Sequence, residues 1–217
     1  MAGCLGHGYP RGDAQPEAVP PSHPDLSDAW RPTSFLTAVA ILFVALQSPL
    51  DTLGDTYLFS AHMAQHLLLI LVVPPLMLLG MPPRILDALL AWEPAAVCER
   101  VLGRPPVAWC AGVLTVWLWH VPRLYDAAVA SEGIHVAQHL TFLATAAIFW
   151  WPVVAPEPYR LPTWPAIGYL ALGGFANTVL AIVITFAPAG LYPVYERPVD
   201  RLGILPVLRN QWGLTPG

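Results

Sequence analysis

The chain has 217 residues, 56% of them hydrophobic and 11% charged, against roughly a quarter charged in an ordinary soluble domain, so it cannot present the usual water-facing surface and is predicted to lie in a membrane. Its basic residues are ten arginines without a lysine, and a net charge of −4 supplies no basic field for a phosphate backbone, which excludes nucleic-acid binding. Cys4, Cys98 and Cys110 have no paired spacing, which argues against a disulfide framework, a C-x-x-C redox site and a thiolate zinc site.

In chain order, residues 1–30 are rich in Gly, Pro and acids and lack the basic-then-apolar order of a signal peptide. They read as a disordered tail. Residues 31–190 read as an all-α, polytopic transmembrane helix bundle of about five spans. The spans are Thr33 to Leu50, Tyr57 to Leu79, Pro106 to Val121, Gly133 to Val154 and Trp164 to Ala187, set against the ~20 apolar residues a bilayer core requires. The third is the shortest, at sixteen residues. Gly80, Met81, Pro82 and Pro83 stop the second span and Pro122 stops the third. Pro74 and Pro75 fall inside the second, where they free backbone groups that neighbouring helices must satisfy. Trp109, Trp117, Trp119, Trp150, Trp151 and Trp164 gather toward span ends, as an interfacial belt requires. Residues 191–217 contain no stretch long enough to cross and read as an extra-membrane C-terminal tail. Five crossings place Arg11, Arg31, Arg84, Arg100, Arg104 and Arg160 on one side and Arg123, Arg197, Arg201 and Arg209 on the other. The positive-inside rule then puts the N-terminus in the cytoplasm and the Asp51 loop outside.

His7 and His23 belong to the tail; the other five histidines are in or at the spans. His62 and His66 form H-M-A-Q-H near the start of the second span, and His135 and His139 form H-V-A-Q-H near the start of the fourth. An i, i+4 spacing sets both imidazoles of a pair on one helix face, about 6 Å apart along the axis. The second and fourth spans run the same way, so both pairs reach one membrane face, and His120 ends the antiparallel third span at that face as well. A single intramembrane histidine is commonly a hydrogen-bonded packing residue, and His120 can simply cap its own helix. Two matching pairs on co-oriented helices instead point to metal or haem ligation, because ionisable residues at membrane depth are costly. Met63 adjoins the first pair, turned about 100° from His62 on the helix. Gln65 and Gln138 occupy equivalent places in the two motifs, either as partners fixing imidazole tautomers or as helix-to-helix hydrogen-bonding groups.

Imidazole suits copper, zinc, iron and nickel. No intramembrane carboxylate and no H-E-x-x-H completes a hydrolytic metal site, which argues against a hydrolytic metalloenzyme. Asp51, Asp55, Asp126 and Glu132 are expected to be solvated loop groups, with drawing in a cation as the alternative, and Tyr125 an interfacial anchor. Haem is the competing ligand, held between His62 or His66 and His135 or His139 in a membrane electron carrier, although it leaves half of the two pairs unexplained. A transporter with protonatable histidines is a third reading.

The same residues resemble a known family. S-P-L-D at Ser48 to Asp51, L-F-S-A-H-M-A-Q-H-L-L-L from Leu58, V-P-P-L-M-L-L-G from Val73 and W-H-V-P-R-L-Y-D-A-A from Trp119 occur in order. H-V-A-Q-H from His135, F-W-W-P-V from Phe149 and L-Y-P-V-Y from Leu191 follow them. Together they are similar to the multi-spanning CtaG family of cytochrome c oxidase assembly factors. The resemblance implies a multi-pass, non-enzymatic protein of the bacterial plasma membrane, cytochrome c oxidase subunits as partners, and copper as the cargo delivered. It implies His62, Met63, His66, His120, His135 and His139 as candidate metal ligands. Measured against that family, the chain is expected to be short of one span at each end.

Overall fold

The computed structural model describes residues 30–56, 58–188 and 191–192, with backbone alone at positions 52, 55 and 56. The expected N-terminal tail, apart from Trp30, and the C-terminal tail beyond Tyr192 lie outside the described residues, as do His7, His23 and Cys4. Among the described residues the chain is helical, without a strand. The elements are α1 (Trp30–Gln47), α2 (Pro49–Thr56), α3 (Phe59–Leu67), a π-helical turn (Leu68–Val72), α4 (Val73–Gly80), α5 (Pro83–Ala91), α6 (Glu93–Leu102), α7 (Pro105–Trp119), α8 (Pro122–Ala130), α9 (Glu132–Val154) and α10 (Thr163–Thr185).

Among the described residues four helical stretches are long and apolar enough to cross a bilayer: α1, the continuous Phe59–Gly80 rod, α9 and α10. α7 has 15 residues, about 22 Å at 1.5 Å per residue, short of a ~30 Å hydrocarbon core. It counts as a fifth crossing when joined to α6, from which it is bent by 82°. Lateral contacts show that α7 nonetheless traverses the depth of the bundle. Gly103, just before it, lies beside Trp151 near the end of α9. Gly112 meets Phe149, and at the far end the Trp119 indole donates to Thr141 Oγ1 at 2.8 Å. α7 and α9 are therefore antiparallel.

α1 runs antiparallel to the Phe59–Gly80 rod. Arg31 donates to the carbonyls of Leu79 and Met81 at 3.3 and 3.4 Å, Ser34 to that of Leu76 at 3.0 Å, and Gln65 returns a bond to Ala45 O at 2.9 Å. α10 joins α9 through the Tyr169 hydroxyl, which donates to Phe149 O at 2.9 Å. The Phe149 ring is wedged between Gly112 of α7 and Gly173 of α10, where the missing side chains let three helices approach. The outer surface is apolar: Leu36, Phe43, Leu114, Leu140 and Phe175 are each at least 60% exposed, which suits lipid and not water.

The prolines do more than stop helices. α5 to α8 each carry a proline in the first turn, where the missing N–H is not needed and the fixed φ is already helical. The segments expected to be loops at 80–105 and after Pro122 are consequently helical as α5, α6 and α8.

Pro74 cannot donate to the carbonyl of Ile70, four residues earlier. The Trp150 indole of α9 donates to that same oxygen at 2.9 Å, so a residue expected in the interfacial belt instead repairs the proline break. Replacing Trp150 with Phe is expected to orphan the carbonyl and cost about 1 to 2 kcal/mol. The check is the thermal midpoint in detergent. Trp151→Phe is the control, because that indole reaches only Glu99 Oε1, at 3.3 Å.

Candidate metal centre

α3 and α9 enter the bundle from the same face, and each carries its histidine pair within its first eight residues. Ring centroids within the pairs are 4.2 Å apart for His62 and His66 and 4.1 Å for His135 and His139. Across the pairs, His62 stacks on His135 at 5.3 Å and His66 meets His139 at 5.5 Å. His120, at the end of α7, lies 6.3 Å from His66. Five imidazoles from three helices thus form one cluster, and the four paired ones are at most 8% exposed.

The nitrogens of His62, His66 and His135 include one from each ring lying within 4.8 Å of one another. Bonds of about 2.0 Å need them somewhat closer, by rotamer-scale adjustment. Among the described residues both nitrogens of His66 and Nε2 of His139 are buried without a hydrogen-bond partner. Buried polar atoms left so are rare and costly, and a cation between the rings removes that cost. The residues therefore fit a metal ion chemically.

Met63 follows His62 by one residue, and the turn away from the pair aims its side chain at α7. Its Sδ lies 3.4 Å from His120 Nε2, while His120 Nδ1 is 2.7 Å from the carbonyl of Val116. Gln65 donates through Nε2 to Ala45 O and, at 2.6 Å, to Asp51 Oδ1. It ties α3 to α1 and α2, and Asp51 is accordingly a structural acceptor, not a solvated loop group. Gln138 is fully buried beside the cluster, and among the described residues neither end of its amide has a partner.

The aromatic cover over the cluster is where the sequence reading fell short. Tyr125 of α8 is fully buried, not an interfacial anchor, with its ring 5.2 Å from that of His62. Tyr192 packs on it at 4.2 Å and donates its hydroxyl to His120 O at 2.9 Å. Phe59 stacks on Tyr192 at 5.4 Å. Burial, and then the charge of Asp126, push the Tyr192 phenol up to about 12, so it remains a protonated donor at neutral pH. Asp126 is itself pushed up by burial. A signal was available in P-R-L-Y-D-A-A: with Pro122 opening a helix, Tyr125 and Ala128 share its inner face at i, i+3.

Beside the cluster, α3, α7, α9 and α10 border a half-open apolar cavity of about 700 Å³, lined by Met63, His66, His120 and Phe142 near the imidazoles and by Asn177 of α10. Thr178 of α10 satisfies its hydroxyl on Gly174 O at 2.8 Å.

The model of the cytochrome c oxidase caa3 assembly factor family matches residues 19–213, across every element that builds this cluster. The chain belongs to that family. Among curated proteins it is similar to uncharacterised proteins of Mycobacterium leprae (28% identity over 157 residues, 64% of this chain and 24% of the relative) and Mycobacterium bovis (27% over 154 residues, 63% and 23%). The chain spans about a quarter of the length of these relatives. No solved structure matches it.

Proposed function

We propose that this chain is a membrane-embedded, non-catalytic assembly factor for haem–copper cytochrome c oxidase that holds copper through its histidine cluster and passes it to an oxidase subunit. The observation that carries this reading is the convergence of His62, His66 and His135 to within 4.8 Å, all buried. His139 completes the set, and His120 lies at its edge, 6.3 Å from His66. Family membership supplies the oxidase; the donor set supplies the metal class, since neutral imidazoles with a thioether nearby suit copper. Gln65 and Gln138 act behind the ligands: one locks α3 to α1 and α2, and the other offers a buried amide to an imidazole N–H. The cluster faces the exterior of the bacterial plasma membrane, as the arginine distribution implies with the N-terminus in the cytoplasm.

Haem demands one imidazole from each of two facing helices with a macrocycle between them. His62 and His135 instead stack at 5.3 Å, closer than opposed axial rings flanking an iron with bonds of about 2 Å permit for a porphyrin plane. Metal analysis and a visible spectrum of the purified protein test the choice. The expected result is copper retained without a Soret band, and lost in the His62→Ala, His139→Ala double variant. A reducible b-type spectrum that disappears in that variant establishes the electron carrier instead.

A further inference from the structure

Met63 and His120 stand apart from the stacked imidazoles, and their chemistry is not that of a hydrogen bond. The carbonyl of Val116 accepts and cannot donate, so the 2.7 Å contact to His120 Nδ1 places the ring proton on that nitrogen. Nε2 then presents a lone pair. It faces Met63 Sδ at 3.4 Å, and a thioether has no proton to give. Two electron-pair donors consequently point at each other at a separation that an electrophile between them would relieve.

The separation is also metrically suited to one. With bonds of about 2.0 Å to nitrogen and 2.3 Å to sulfur, donors 3.4 Å apart subtend roughly 105° at the ion. That is an angle between neighbouring ligands of a three- or four-coordinate centre. His120 is held from behind as well as by Val116, because Tyr192 donates to its carbonyl at 2.9 Å. Thioether sulfur selects soft monovalent copper over zinc or cupric ion, whereas the neighbouring imidazoles accept any of these. The surroundings differ too. Met63, His120 and His66 line the cavity between α3, α7, α9 and α10, while His62 is sealed under Tyr125.

We propose that Met63 Sδ and His120 Nε2 form a second, soft metal site that takes copper(I) on the cavity wall, beside the imidazole site and distinct from it, with His66 as the residue shared between the two. This rests on the reading that the chain handles copper. A cuprous ion passing between the sites exchanges thioether for imidazole without changing oxidation state, so no electron donor is required.

The test uses the full chain in detergent with its cysteines alkylated, titrated with copper(I) against a chromogenic cuprous chelator and separately with zinc. Met63→Leu is the variant, since it preserves volume and removes only the sulfur. The wild-type chain is expected to hold two cuprous ions, with a copper–sulfur distance of about 2.3 Å in X-ray absorption. Met63→Leu is expected to hold one, to lose the sulfur signal and to keep its zinc binding unchanged. His120→Asn is expected to match Met63→Leu in copper stoichiometry. A wild-type chain that binds one cuprous ion, shows no sulfur and is indifferent to Met63→Leu overturns the second site and leaves the imidazole site standing. A chain that binds no copper overturns both.

Discussion

Copper retention is expected to fall by more than about a hundredfold when His62 and His66 are both replaced by alanine. Losing a group that merely supports a metal-bound histidine already costs about 10- to 100-fold in affinity, and this double change removes two of the three donors that lie within 4.8 Å of one another. The remaining His135 and His139 share one helix, with rings 4.1 Å apart, and can grip an ion only from one side. Equilibrium competition with a chelator measures the loss. Retention within a fewfold of the wild-type chain, with Met63→Leu added to remove the thioether, shows that the cluster is packing and not a metal site. Helical circular dichroism should be unchanged, because the i→i−4 backbone bonds of α3 do not involve the imidazoles.

The largest effect on stability is expected at Gly80. A Cβ there falls 2.5 Å from Phe35 N and 2.8 Å from Arg31 O, backbone atoms of α1 that no rotamer change can move. Gly80→Ala therefore forces α1 away from α4 and strains the bonds of Arg31 and Ser34 to the carbonyls of Leu79, Met81 and Leu76. Overpacking of this kind costs about 1 to 3 kcal/mol, which lowers the melting midpoint of a chain this size by about 2 to 12 °C. Gly174→Ala is the matched control: nothing lies within 4 Å of its Cβ, and alanine is the better helix former. Equal midpoints for the two variants disprove the close-contact account.

The histidine cluster was legible in the sequence because its determinants are local. An i, i+4 pair fixes a face, and counting spans fixes which end of the bundle each pair occupies. The all-α membrane architecture was legible for the same reason, from the length of apolar runs. What escaped depends on partners distant in the chain. Trp150 resembles any belt tryptophan until Ile70, 80 positions away, is known to lack its donor. Asp51 resembles a solvated acid until Gln65 is found against it, and Tyr125 resembles an interfacial ring until α8 folds over His62. The helices α5 and α8 escaped because a proline that ends one helix is equally suited to begin the next, so Pro83 and Pro122 each signal a stop and a start at once.

The π-helical turn Leu68–Val72 begins two residues after His66 and ends two residues before the pair Pro74 and Pro75. Such a turn accommodates one residue more than an α-helical turn, and one residue corresponds to about 100° of rotation. It thus works as a rotational offset between two halves of a single rod: the lower half is anchored against α1 by Gly80, and the upper half presents His62 and His66 to α9. Shortening this turn by one residue would keep the rod straight, apolar and long enough to cross, yet swing both imidazoles roughly a quarter-turn away from His135 and His139. The azimuth of the two imidazoles is therefore stored in the irregular part of the helix, away from the histidines themselves.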